Sequence, residues 1–242
     1  MTAFYERLAS HYDAIFPAEP EITAFLARAF EGKRMLLDIA CGTGTYAREL
    51  ATHGFRVTGI DIEEGMIRLA NSKDLPQAAE FYVADMTGGA GSEKVFGRKY
   101  DGIYCIGNSL PHLADMEQVG RALALWSAAL HPGGILVLQT VNFRRFHGKG
   151  ETGLPSIERE GLIFSRRYET AGPDRVYFVT KLALLQTGEE LENKVRLLVI
   201  KPDLLDRSLQ EAGFGDPVFY GSFAGASYRD DSFLTICLAR KM

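Results

Sequence analysis

The sequence predicts an α/β sandwich, a largely parallel sheet flanked by helices, with an antiparallel β insertion after the fifth strand. Three observations carry this. From about residue 20 to residue 140, short apolar runs alternate with helix-periodic stretches, the rhythm of right-handed βαβ units. The first apolar run, 35–39, opens into a glycine turn, Cys41-Gly42-Thr43-Gly44. After residue 142 the helical rhythm stops, and β segments follow one another across tight turns.

Residues 21–30 place Ile22, Phe25, Leu26 and Phe30 on one helical face. MLLDI (35–39) suits a buried parallel strand. Residues 44–53 read as a helix, FRVTGID (55–61) as the second strand and EEGMIRLAN as the next helix. EFYVAD (80–85) and YDGIYCIG (100–107) are the third and fourth strands. MEQVGRALALWSAAL (116–130) is a long amphipathic helix stopped by His131-Pro132-Gly133-Gly134, and ILVLQTV (135–141) is the fifth strand. The stretch 143–153 reads as a loop, with Gly148, Gly150 and Gly153. LIFSRRYET, RVYFVTKLALLQT and NKVRLLVIK then form a three-stranded meander turning at Gly172-Pro173 and Gly188-Glu189. PDLLDRSLQEAG (202–213) is a helix with Pro202 near its start and Gly213 as its stop, and DPVFYG and DSFLTICLAR are two further strands. The expected division is one domain of residues 1–142 and 202–242, interrupted by an insertion of 143–201.

Composition narrows the function classes. At 46% hydrophobic and 24% charged over 242 residues, the chain is an ordinary globular one rather than a disordered or collagenous one. A net charge of −4 and a pI of about 5.8 lack the basic surplus of a nucleic-acid binder. The three cysteines, Cys41, Cys105 and Cys237, are odd in number and far apart, with no metal-ligand spacing, so neither a disulfide framework nor a metal site is expected. The start MTAFYERLASHYD has no apolar signal core, and no run of ~18 apolar residues could cross a membrane. A cytoplasmic location is the expectation.

The turn Asp38-Ile39-Ala40-Cys41-Gly42-Thr43-Gly44 lies between a strand and a helix. Glycine lets backbone approach a ligand closely, and the helix start supplies unpaired N–H groups. Asp61 ends the second strand, placed to accept hydrogen bonds from ribose hydroxyls. Asp38, Asp61, Asp85 and Asn108 would share the carboxyl edge of the sheet, where open α/β sheets bind ligands. A tight turn with no ligand is the competing reading. Gly42-Thr-Gly44-Thr-Tyr-Ala47 also fits a dinucleotide fingerprint, and Tyr177 and Lys181 imitate the Tyr-x-x-x-Lys pair of a nicotinamide oxidoreductase. That pair needs one helical turn, about 6 Å. On a strand, four residues span about 13 Å.

The acid before the glycines belongs to a different pattern. LLDIACGTG, VTGIDIEEGMI, VADM and LHPGG occur in the order of the motifs of class I S-adenosylmethionine-dependent methyltransferases, over about residues 33–142. The chain therefore resembles that family. IYCIGNSLPHL and LQTVNFRRF resemble segments of glycine and sarcosine N-methyltransferases more narrowly. The resemblance implies a Rossmann-like sandwich with a mostly parallel seven-stranded sheet and S-adenosyl-L-methionine as cofactor. By it, Asp61 would hold the ribose, and Ile62 and Met66 would pack on adenine. Ala84, Asp85 and Met86 would contact adenine's edge and face. Asp38, Ala40, Cys41, Gly42 and Gly44 would surround the methionine portion, with Ile106 and Gly107 near its amino group. Cys41 reads as a small apolar filler rather than a nucleophile. Glycine methyltransferases place an arginine upstream of the first strand, whereas residues 13–27 here contain no Lys or Arg. Tyr12 or the turn backbone would serve instead.

Methyl transfer from a sulfonium needs alignment more than a base, so the expected function is methylation of a small-molecule acceptor, most readily an amine nitrogen. The proposed substrate contacts are Asn108, whose amide carbonyl would accept from the amine, and His112, which would orient or deprotonate it. His112 reads equally as a loop histidine bonded to backbone. Asn142 and Arg144, after the fifth strand, Arg166 on the insertion and Tyr5 near the start complete the substrate set. An exposed, solvated side chain competes with the Arg166 reading, and an amphipathic helix competes with the reading of Tyr5 and Tyr12 as a lid. Asn108 is followed by Ser-Leu-Pro, not by the Pro-Pro-aromatic of nucleic-acid amino methyltransferases. The insertion would form part of the pocket or an oligomer contact, as in a homodimer. A cofactor-binding regulator without turnover is the alternative outside enzymes.

Overall fold

The structure is a computed structural model describing residues 8–73, 78–89, 91–146, 151–215 and 217–242; Tyr5 lies outside them. A short helix α1 (Tyr12–Ile15) and α2 (Pro20–Ala29) precede β1 (Met35–Ile39). Then follow α3 (Thr45–Thr52), β2 (Arg56–Asp61), α4 (Glu64–Ser72), β3 (Ala79–Val83), α5 (Glu93–Phe96) and β4 (Tyr100–Cys105). Next come α6 (Met116–Ala129) and β5 (Leu130–Val141), and then four strands, β6 (Glu151–Arg159), β7 (Leu162–Thr170), β8 (Arg175–Leu184) and β9 (Glu189–Leu198). The chain closes with α7 (Pro202–Glu211), β10 (Val218–Tyr220) and β11 (Leu234–Arg240).

Seven strands form the main sheet in the order β10-β11-β5-β4-β1-β2-β3. Strands β1 to β5 pair in parallel, and β11 runs antiparallel to both β5 and β10. The strand period of two sends alternate side chains of β1 to opposite faces. Leu37 and Ile39 join the core under α6 and α7, with Trp126, Leu205 and Leu209. Leu36 joins the core under α2, α3 and α4, with Phe30, Leu50 and Ile67. Trp126 is fully buried, and its indole N–H donates to the Met86 carbonyl at 2.8 Å, which satisfies its one polar atom.

The second sheet is a four-stranded antiparallel meander, β6-β7-β8-β9. It rests on the main body through two apolar clusters. Leu162, Phe164 and Leu182 pack on Ile15 of α1. Tyr168, Val176 and Leu197 pack on Val141 and Phe143 at the end of β5.

Two expectations need correction. The stretch 143–153 is not all loop, because β6 begins at Glu151. Gly153 and Pro155 hide this strand in the sequence. Its register with β7 shifts between Leu154 and Ile157, an irregularity on an edge strand where a proline without an N–H is tolerated. Likewise, His131-Pro132-Gly133-Gly134 does not separate α6 from a strand starting at Ile135. Strand β5 starts at Leu130, opposite Tyr100, and the four residues are absorbed as an irregularity before Ile135 pairs with Gly102.

Candidate functional site

The order of the main sheet reverses between β1 and β4, and a crevice opens beyond the carboxyl ends of neighbouring strands at such a switch point. Both strands leave the sheet there through left-handed backbone. After β1, Ala40, Gly42 and Gly44 have φ of 58°, 56° and 75°; after β4, Gly107 and Asn108 have φ of 79° and 66°. Among the described residues, Ala40 and Asn108 are the non-glycine residues with positive φ. Such conformations cost of order 1–3 kcal/mol each and persist where the surroundings hold them.

The hydrogen bonds show what holds them. Gly42 N–H donates to Asp61 Oδ2 and Glu63 N–H to Asp61 Oδ1, each at 2.9 Å, so the β2 carboxylate is fixed by the turn it faces. Cys41 N–H donates to the Ile60 carbonyl at 2.8 Å. Gly107 N–H donates to the side-chain oxygen of Gln139 at 2.7 Å. Asn108 Oδ1 accepts from Val141 N–H at 2.8 Å. A Cβ on Gly44 would stand 2.4 Å from Phe81 Cζ, whereas one on Gly107 would meet nothing within 4 Å. The first glycine is required by packing and backbone alike, the second by backbone alone.

Two carboxyl groups face the crevice. Asp38 is 3% exposed, and burial pushes its pKa well up; Asp61 adds to the rise while the Tyr104 hydroxyl opposes it. That hydroxyl lies beside Asp38 yet meets no hydrogen-bond geometry. Burial also raises Asp61, against the pull of its backbone donors. Two neighbouring buried acids, with no cation paired to either among the described residues, suit a positively charged ligand. Burial and the same two acids push the Cys41 thiol well up, which removes it as a thiolate nucleophile and fits the filler reading.

Helix α1 packs against the first turn. The Tyr12 ring lies 3.3 Å from where a Gly42 Cβ would be, and burial followed by Asp61 raises its phenol pKa, so it is a neutral hydroxyl at the mouth. Asp13 clamps α1 to the turn by accepting from Thr43, from Thr45 at 3.2 Å and from Lys73. Arg48 donates to the Thr43 carbonyl at 2.6 Å. Asp13, Arg48, Lys73 and Gln139 were not singled out from the sequence. The one signal for Asp13 was its place next to Tyr12.

The other expected residues sort by their contacts. Ile62 is 63% exposed beside Asp61, a large apolar side chain left bare at the crevice. Met66 is buried near the start of α4. Ala84 is buried, and Asp85 Oδ1 accepts from the N–H and the hydroxyl of Thr87, each at 2.7 Å, leaving Oδ2 free of those bonds. Ile106 is buried beneath the β4 turn. His112 is exposed, and desolvation lowers its pKa.

Three of the expected substrate contacts make bonds within the chain. Asn108 was expected to offer its amide carbonyl to an amine, but that oxygen receives Val141 N–H and ties the β4 turn to β5. Asn142 is 2% exposed. Its Nδ2 donates to the carbonyls of Asp230 and Ser232 at 3.0 Å and of Arg229 at 3.5 Å, so it anchors the 229–232 turn and has no donor left for a substrate. Arg144 pairs with Asp230 at 3.2 Å. It lines a pocket of about 680 Å³ with Phe143, Arg175 and Lys201, at the root of the insertion and away from the glycine turn. Tyr177 and Lys181 lie on strand β8, which removes the helical Tyr-Lys pair of an oxidoreductase.

Residues 36–134 match the family described as a methyltransferase domain. The chain has the fold of solved S-adenosylmethionine-dependent methyltransferases. A crystal structure of an S-adenosylmethionine-dependent methyltransferase from Clostridium acetobutylicum superposes over 98% of this chain and 99% of its own, with a TM-score of 0.79 at 15% identity, a likeness of fold. The dTDP-3-amino-3,6-dideoxy-alpha-D-glucopyranose N,N-dimethyltransferase of Streptomyces fradiae is 26% identical over 170 residues, 64% of each chain. The chain thus spans somewhat less than two thirds of that relative. The glycine/sarcosine N-methyltransferase of Aphanothece halophytica is 25% identical over 225 residues, 87% of this chain and 77% of its own. Among the described residues, no helix of this methyltransferase fold is long and apolar enough to cross a membrane, and no group of side chains is arranged to hold a metal ion.

Proposed function

We propose that the protein transfers a methyl group from S-adenosylmethionine to an amine nitrogen of a small molecule. The observation that carries this is the pair of left-handed turns at the switch point, facing the Asp61 carboxylate that the first turn itself orients. The residues present fit the cofactor. The Asp61 oxygens keep lone pairs for two ribose hydroxyls, bare Ile62 would be covered by adenine, and the acidic crevice suits a sulfonium and an ammonium group. When bound, S-adenosylmethionine supplies a methyl group already activated by positively charged sulfur.

The chain's work is then alignment and exclusion of water, and alignment alone contributes ~7–11 kcal/mol. Tyr12 and the clamped α1 would cover the cofactor. Gly107 and Asn108 would present backbone beneath the reacting groups, with Gln139 and Val141 holding that turn rigid. His112, neutral near pH 7 because desolvation lowers its pKa, would take the proton that the methylated nitrogen sheds. Two of the matched relatives carry N-methyltransferase names, one for an aminosugar and one for glycine and sarcosine, which supports nitrogen as the acceptor atom. In this reading 143–201 is a substrate lobe on a domain formed by 1–142 and 202–242. The protein acts in the cytoplasm, alone or as a homodimer, and nucleic acid is not its substrate.

The test is ligand-induced stabilisation followed by turnover. S-adenosylhomocysteine should raise the melting temperature, as a ligand of the native state does, and NADH should not. Radiolabelled methyl should pass from S-adenosylmethionine to a member of a pooled amine library. Stabilisation by NADH would support the oxidoreductase instead. Binding of S-adenosylhomocysteine without transfer to any amine would refute N-methylation.

A further inference from the structure

The inner face of the insertion carries a polar row between two apolar clusters. Antiparallel register sets Arg166 opposite Thr180, and Thr180 opposite Asn193. Arg166 lies between Phe164 and Tyr168 on the same face of β7, because strand residues two apart share a side. Phe164 meets the Phe16 ring edge-on at 5.5 Å, and Phe16 meets Tyr12 at 5.1 Å, so this end of the row leads to the glycine turn. Tyr168 meets Phe143 edge-on at 5.2 Å, just past β5. The row therefore runs between α1 at one end and the residues past β5 at the other.

Its polar atoms are poorly satisfied. Arg166 Nε and Thr180 Oγ1 are both buried with no hydrogen-bond partner. Arg166 Nη2 donates to the Pro155 carbonyl at 3.1 Å. Among the described residues no carboxylate pairs with Arg166, whereas its neighbour Arg167 pairs with Glu169. Desolvation lowers the Arg166 pKa, as burial of an uncompensated cation does. Buried polar atoms are ordinarily paired, so an unpaired guanidinium Nε on β7 and an unpaired hydroxyl opposite it on β8, in an apolar lining, are a departure that a ligand would resolve. A guanidinium grips a carboxylate or phosphate through two parallel N–H bonds.

We propose that Arg166 and Thr180, flanked by Asn193, form an oxyanion subsite, so that the acceptor is an amine carrying a carboxylate or a phosphate. This rests on the amine-methylation reading and names its substrate class. The amine would lie toward the glycine turn and the anionic group against the insertion, giving the insertion a part in specificity.

The experiment is calorimetric titration of the protein saturated with S-adenosylhomocysteine, using two matched pairs of probes. Glycine against glycinamide isolates a carboxylate, and dTDP against thymidine isolates a diphosphate. The anionic member of one pair should bind at least about tenfold tighter than its neutral partner, and which pair responds identifies the source of the oxyanion. Arg166→Met should erase that preference, and Arg166→Lys should keep part of it, as a point charge without the planar fork does. Arg166→Met should melt no lower than wild type without ligands, because an unpaired cation leaves an apolar lining. If neither pair shows a preference, or if Arg166→Met keeps the preference intact, the subsite is refuted. An Arg166-dependent preference in a protein that methylates no amine would leave the subsite standing and remove the amine-methylation reading.

Discussion

Replacing Asp61 by alanine separates what the crevice does for folding from what it does for binding. For folding the change has two opposed parts. Gly42 and Glu63 lose the acceptor of their N–H groups, each bond now 2.9 Å long, and an unsatisfied buried donor costs ~1–3 kcal/mol. Against this, burial disfavours the ionised carboxylate, as its raised pKa shows, so removing the charge relieves part of the loss. A net cost of about 1–2 kcal/mol should lower the melting temperature by ~2–8 °C, at ~2–4 °C per kcal/mol for a chain of this size. For binding there is no such offset. Two ribose hydroxyls donating to a carboxylate contribute ~1.5–3 kcal/mol each, together ~3–6 kcal/mol. At 1.4 kcal/mol per decade, S-adenosylhomocysteine should bind about 10²- to 10⁴-fold more weakly. Calorimetric titration beside a thermal melt reads both quantities. A well-folded Asp61→Ala protein that binds S-adenosylhomocysteine within about threefold of wild type would refute the placement of the ribose at this carboxylate.

Two further outcomes follow from the same geometry. Asn142→Ala removes a buried amide that holds three carbonyls of the 229–232 turn. It should cost ~2–4 kcal/mol in urea unfolding while leaving the acceptor KM of the folded fraction unchanged; a raised KM at unchanged stability would restore Asn142 to the substrate site. Asp38 titrates higher folded than unfolded, so the ligand-free protein binds its proton more tightly when folded, and this acid's contribution to stability falls as pH rises from its unfolded pKa toward neutrality. Asp38→Asn should therefore raise the melting temperature of the ligand-free protein at pH 7 and leave it nearly unchanged near pH 4. A lower melting temperature at pH 7 would show that the ionised group is compensated.

The fold was legible where local chemistry and burial agree. Strand β1 is predicted and found at 35–39, because MLLDI is buried on both faces and ends in residues that can turn. Strand β6 escaped because its identity is set by its neighbour. Gly153 and Pro155 argue against a strand locally, and only pairing with β7 overrides them. The glycine turn and Asp61 were legible because each needs a particular residue type at one place, a missing Cβ or a carboxylate. Asn108 and Asn142 were placed at the correct edge, where each also makes hydrogen bonds that hold the backbone. An amide on a strand end can serve a ligand or the backbone equally, and the choice depends on whether Val141 N–H or the 229–232 carbonyls come within reach.

By itself the sequence determined the parallel sheet, its crevice and the ligand chemistry that the crevice suits, because hydrophobic period and glycine placement act over a few residues. The tertiary structure alone decided which polar groups remain unsatisfied. Arg166 is one of two adjacent arginines in the sequence, and Thr180 is one threonine among many. Antiparallel register turns Arg166 inward against Thr180 and leaves Arg167 to pair with Glu169. A one-residue slip would exchange the two arginines, because successive strand residues face opposite sides and the register is set by contacts far apart along the chain.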